Sequence, residues 1–130
     1  MNLMDVILIA VFGAAGVLAR HLLGTHFTSS GLSEFPWHTV GINISGSFLI
    51  GFVTMLVVHR SPFVPDQIKV PILVGFLGGF TTFSTFSLEF LQLAQKKDIA
   101  NASLYFAITV GGGLIACLLG LTFGKYPFFR

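Results

Sequence analysis

Charge is scarce in this sequence. Only 9% of its 130 residues are Asp, Glu, Lys or Arg, where an ordinary soluble domain carries about a quarter. A chain so poor in charge cannot clothe a water-facing surface, which sets aside the soluble classes. The five acidic and seven basic residues form no block, so nucleic acid is not an expected partner. The single cysteine, Cys117, excludes an intrachain disulfide and any cysteine-rich metal site, and in its apolar run it reads as a small hydrophobe. The N-terminus, MNLMDVILIA, lacks the basic leader of a signal peptide and carries Asp5 instead, so it reads as part of the mature chain. No nucleophile, base and orienting group fall together, and His21, His26, His38 and His59 share no ligand-like spacing. They read as interface residues, and the chain does not read as an enzyme.

What fills the sequence is apolar: 54% of residues are hydrophobic, and the mean hydropathy is +0.88. Crossing a bilayer takes about 20 mainly apolar residues. Four segments meet that length, over residues 4–23, 39–58, 70–93 and 100–124, predicting an all-α membrane protein of one four-helix domain. Between them lie TSSGLSEFPWH, HRSPFVPDQ and QKKD, with Trp37 and Tyr126 near segment ends. Arg60, Lys69, Lys125 and Arg130 fall on one side of the membrane, and Lys96, Lys97 and the end-placed Arg20 on the other. That near balance gives the positive-inside rule little to act on. Insertion in both orientations, and an antiparallel two-fold dimer, is the arrangement it allows.

In lipid, helices associate through small residues. Gly112, Ala116, Gly120 and Gly124 recur every four residues in the fourth segment and predict a packing face. Gly13, Ala14 and Gly16 do the same in the first. The second segment carries Thr39, Asn43, Ser47 and Gly51 at the same spacing, and Tyr105, Thr109 and Gly113 form a shorter stripe in the fourth. Serine and threonine hydroxyls can bond back to their own helix. Asn43 cannot be satisfied so easily; it either bonds another helix or lines a polar path. Two ionisable groups lie inside segments. Arg20 is close enough to an end to snorkel or to serve a site. Glu89 stands about two turns before Lys96 and Lys97, where an interfacial ion pair is the simple reading and its role otherwise stays open.

The third segment holds the unusual stretch, GGFTTFSTFS from Gly78 to Ser87. Paired glycines followed by threonines disfavour a continuous helix, and non-helical backbone at membrane depth survives only inside protein or along a cavity. A break near the bilayer midplane is therefore expected at GGFT. Freed carbonyls suit a cation, whereas amides and the hydroxyls of Thr81, Thr82, Ser84 and Thr85 suit an anion. After the break, Phe83, Phe86 and Phe90 share one helix face, and an aromatic ring has a positive edge. Beside Asn43, Ser84 and Thr85, such edges point to a small, strongly hydrated anion.

GGFTTFSTFSLE resembles the third-helix signature of the Fluc/CrcB fluoride channels, and GAAGVLAR ending at Arg20 and NISGSFLIG starting at Asn43 resemble that family too. The resemblance covers essentially the whole chain. It implies an antiparallel dual-topology homodimer in a bacterial inner membrane, with two pores that pass fluoride passively out of the cell. By resemblance, Phe83 and Phe86 are the pore phenylalanines, Asn43 the pore asparagine, and Ser84 and Thr85 the hydroxyls between the rings. The carbonyls of Gly78 and Thr81 match those that hold a central sodium ion, Arg20 matches a vestibule arginine, and Glu89 matches an acidic residue of open role. Gly113 stands where relatives often have serine, leaving Thr109 or Tyr105 as the fourth-helix donor. Two other membrane readings fit less well. A dual-topology multidrug exporter needs a deep acidic residue, and the first segment offers only Asp5 at its tip. A purely structural subunit would not need the polar stripe through Asn43.

Overall fold

A computed structural model describes residues 2–28, 35–59 and 64–125. The side chain of His59, together with Arg60, Tyr126, Arg130 and most of the first connection, lies outside them. Among the described residues the chain is helical and contains no strand. Four helical spans are long and apolar enough to cross a bilayer: Leu3–His26, Trp37–Val57, Asp66–Gln95 and Ile99–Lys125. The first helix continues to Thr28, about a turn past the hydropathy limit, because neither proline nor paired glycine stops it there.

The second and fourth spans run in the same direction with their backbones touching. Ile44 faces Gly112, Ser47 faces Gly113, Gly51 faces Cys117 and Met55 faces Gly124. A Cβ at Gly120 would stand 2.1 Å from the Phe48 carbonyl oxygen, so nothing larger than glycine fits that approach. The first and third spans meet in the same way, with a Cβ at Gly16 falling 2.1 Å from the Phe76 carbonyl oxygen. The small-residue faces thus act in packing, as their spacing predicts. Large apolar residues such as Val11, Leu18, Val74, Leu114 and Leu118 stay exposed, which suits a chain whose solvent is lipid.

The third span changes character along its length. Asp66–Val70 is α-helical and Pro71–Leu77 is π-helical. Pro71 lacks an N–H and crowds the preceding turn, which favours the wider winding after it. Gly78–Phe80 returns to α-helix, Thr81 and Thr82 are extended, and Phe83–Gln95 is again α-helical. The glycine pair is therefore helical, and the extended residues come three positions later. Gly79 serves packing instead: a Cβ there would lie 2.7 Å from the Gly13 carbonyl oxygen. After Gln95 the chain turns through Lys97, whose φ is 62°. The Lys97 N–H donates to the Ala94 carbonyl and the Asp98 N–H to the Leu93 carbonyl, capping the helix end. Asp98 then accepts from the Asn101 N–H to start the fourth span.

Candidate functional site

The two extended residues reorganise the polar groups around them. Thr82 is the N-cap of the following helix: its Oγ1 accepts from the Thr85 N–H at 3.2 Å. The same hydroxyl donates to Thr85 Oγ1 at 3.0 Å and lies 3.4 Å from Ser84 Oγ. Asn43 clasps the Thr82 peptide from the second span, its Nδ2 donating to the Thr82 carbonyl at 3.0 Å and its Oδ1 accepting the Thr82 N–H at 2.8 Å. In an unbroken helix the Thr82 N–H would close on the Gly78 carbonyl, and the Thr85 N–H on that of Thr81. Both amides are diverted, one to Asn43 and one to the Thr82 side chain. Arg20 extends inward from the first span, with Nη1 3.5 Å from the Thr81 carbonyl oxygen. Its guanidinium is thus turned toward the extended residues, where snorkelling would have taken it to the membrane surface.

A groove of about 480 Å³ opens beside this clasp, between the second, third and fourth spans. Its polar lining is Asn43, Ser47, Thr81, Thr82 and Thr109, and Phe83 and Phe86 also line it. No charged side chain lines it among the described residues. Thr109 sits in a five-residue π-helical stretch, Ala107–Gly111, a distortion frequent at functional sites. The residue is only 7% exposed, and its Oγ1 is buried without a hydrogen-bond partner. A buried hydroxyl left so is costly unless a further group meets it.

The two phenylalanines differ sharply. Phe86 is 4% exposed, fixed among Tyr105, Phe106 and Phe90 at ring separations of 5.1, 6.1 and 6.4 Å. Phe83, 5.6 Å from Phe86, is 77% exposed. Ser84 and Thr85 lie on the first turn of the helix behind Phe83, joined to Thr82, and are not on the groove wall. Tyr105 is also off that wall; its hydroxyl donates to Glu89 Oε2 at 2.6 Å. Glu89 accepts from the Thr39 hydroxyl at 3.1 Å through Oε1, which His38 Nε2 approaches to 3.3 Å. The second and fourth spans therefore hold Glu89, where a pairing with Lys96 and Lys97 was the simple expectation. His38 likewise turns out to face this carboxylate rather than only an interface.

Thr82, Ser47 and Cys117 also line the groove, although the family resemblance gave none of the three a site role. Thr82 could have been found as the threonine three before Thr85, an N-cap spacing. Ser47 could have been found from its place one turn after Asn43. Cys117 lines the far end of the groove and gave no signal beyond its apolar surroundings.

A family described as "CrcB-like protein, Camphor Resistance (CrcB)" matches residues 7–121. The chain is 43% identical over 122 residues to a protein of Symbiobacterium thermophilum named "Fluoride-specific ion channel FluC 1", covering 93% of this chain and 98% of that one. It is 39% identical to the "Fluoride-specific ion channel FluC" of Geobacter sulfurreducens, covering 88% of this chain and 89% of that one. The identity is again 39% to the protein of the same name from Magnetococcus marinus, over 94% and 98% of the two chains.

Proposed function

The chain belongs to the CrcB-like family, and from that premise we propose that it is a fluoride-selective channel, passing the ion passively out of the cytoplasm across the inner membrane. One observation carries this reading: a single neutral groove is lined by both phenylalanines, by Asn43 and by Thr109, whose buried hydroxyl has no partner. Fluoride holds water strongly, so a path must replace that water with donors. A fixed cation in the groove would hold the ion too tightly; hydroxyls and ring edges stabilise it and still release it. Among the described residues, the groove wall carries no carboxylate, imidazole or amine for proton exchange, which suits a channel rather than a proton-coupled exchanger.

The working unit in this reading is an antiparallel dual-topology homodimer, with the extended residues of the third span near the bilayer midplane. Support comes from Phe83, whose ring is left uncovered by its own chain, and from the open space around Gly78, where an added Cβ would meet nothing within 4 Å. The carbonyls of Gly78 and Thr81 suit the central sodium ion that the family implies. The amides that would normally occupy them are diverted, and a carbonyl has two lone pairs, so the approach of Arg20 to Thr81 leaves one available. Such an ion would be structural, drawing two copies together. Arg20 would then serve the vestibule, and Asn43 would serve twice, satisfying the Thr82 peptide and offering its second Nδ2 hydrogen to the groove.

Fluoride efflux from liposomes holding the purified protein tests the proposal. Under a potassium gradient with valinomycin, a fluoride electrode should record rapid release, and release should stop without valinomycin because a passive anion flux needs charge balance. No release with valinomycin present would end this reading.

A further inference from the structure

The polar stripes of the second and fourth spans meet rung by rung. Thr39 and Tyr105 are joined through Glu89. One turn along each helix, Asn43 and Thr109 line the groove. One turn further, Ser47 faces Gly113, and beyond that Gly51 packs against the Cys117 backbone. The third rung carries a single polar side chain. Gly113 is buried and bare, and a Cβ built on it would lie 3.4 Å from Ser47 Oγ. The absent side chain leaves the Ser47 hydroxyl facing the groove, whose remaining lining beyond it includes Ile50, Leu114 and Cys117.

We propose that Ser47 is a dehydration donor of the anion path, taking fluoride from Asn43 and Thr109, and that Gly113 sets the space in which its hydroxyl works. The inference rests on the fluoride reading above and assigns the specific donor on the third rung. The buried Thr109 hydroxyl one turn away supports it independently: a polar atom without a partner inside protein marks a place that a further group fills. A groove that ended its donors at Asn43 and Thr109 would face the ion with hydrocarbon one turn later. A bare ion there would lose its water with nothing in exchange.

The variants Ser47→Ala, Ser47→Thr and Ser47→Ala/Gly113→Ser test this in the liposome efflux assay, with size-exclusion profiles and circular dichroism reporting assembly. Ser47→Ala should slow fluoride efflux about three- to tenfold, the factor one lost hydrogen bond is worth, with assembly unchanged. Ser47→Thr should keep near-parental flux because it keeps the hydroxyl. Ser47→Ala/Gly113→Ser should recover most of the loss, since it returns a hydroxyl to the same rung from the opposite helix. Parental flux in Ser47→Ala overturns the inference. So does a slow double variant that assembles normally, or a slow Ser47→Thr, because either makes Ser47 a packing residue. If the parent protein itself passes no fluoride, the channel reading fails first and takes this inference with it.

Discussion

At the scale of single residues, the extended Thr81–Thr82 stretch persists because its backbone groups are claimed. Asn43 takes both groups of the Thr82 peptide, so Asn43→Leu would leave a donor and an acceptor unpaired at membrane depth. We expect a loss of about 1–3 kcal/mol for each group, read as a lower midpoint of thermal unfolding in detergent. The phenylalanines make a divided prediction. Phe83→Ile removes little packing within its own chain, so it should cost less stability than Phe86→Ile, yet cut fluoride efflux strongly. Phe86→Ile should cut efflux and also destabilise by about 1–3 kcal/mol, since it vacates a packed aromatic cluster. Equal stability losses in the two variants, measured by thermal unfolding, would contradict the placement of Phe83. Much of this was legible beforehand: Asn43, Phe83, Phe86 and Thr109 all stand on the groove wall. The diversion of Ser84, Thr85 and Tyr105 into hydrogen bonds elsewhere was not. Which partner a hydroxyl chooses depends on ångström-scale placement of a neighbouring helix, and stripe spacing does not carry that information.

At the scale of elements, glycine has three separate uses here, and composition alone does not tell them apart. Gly120 permits backbone contact between the second and fourth spans, so Gly120→Ala should cost about 1–3 kcal/mol through overpacking. Gly41 has open space around it, and Gly41→Ala should stabilise by up to about 1 kcal/mol through helix propensity. Chemical denaturation of the two variants should show opposite shifts. Gly113 is the third case, a gap beside a hydroxyl. The two glycines and the threonines after them were expected to disfavour a continuous helix at GGFT; the glycines are helical, and the extended backbone falls at Thr81 and Thr82. Helix propensity is a small local term. A cap at Thr82 and a clasp from Asn43 together outweigh it, moving the extended residues to where those partners are. The turn at Lys97 shows a cap with a different fault: a left-handed φ of 62° on a residue with a Cβ. Lys97→Gly should raise the unfolding midpoint by the equivalent of about 1 kcal/mol.

At the scale of the whole molecule, the chain is a multi-pass bacterial membrane protein whose second, third and fourth spans line a neutral groove. The four crossings were readable because hydropathy over about 20 residues is an additive signal. The pairing of the second span with the fourth was half visible, as two stripes of equal spacing with no mark of which helix each would meet. The proposed antiparallel dimer predicts a two-fold axis beside Gly78 and a single density on it ringed by carbonyl oxygens. An experimental structure with that axis elsewhere would remove the sodium assignment. The central claim is fluoride conduction, and bi-ionic planar-bilayer recording tests it most directly, with fluoride on one side and chloride on the other. The account predicts a current carried by fluoride, with a reversal potential far toward the fluoride equilibrium value. A reversal potential near zero, meaning fluoride and chloride pass alike, would contradict it.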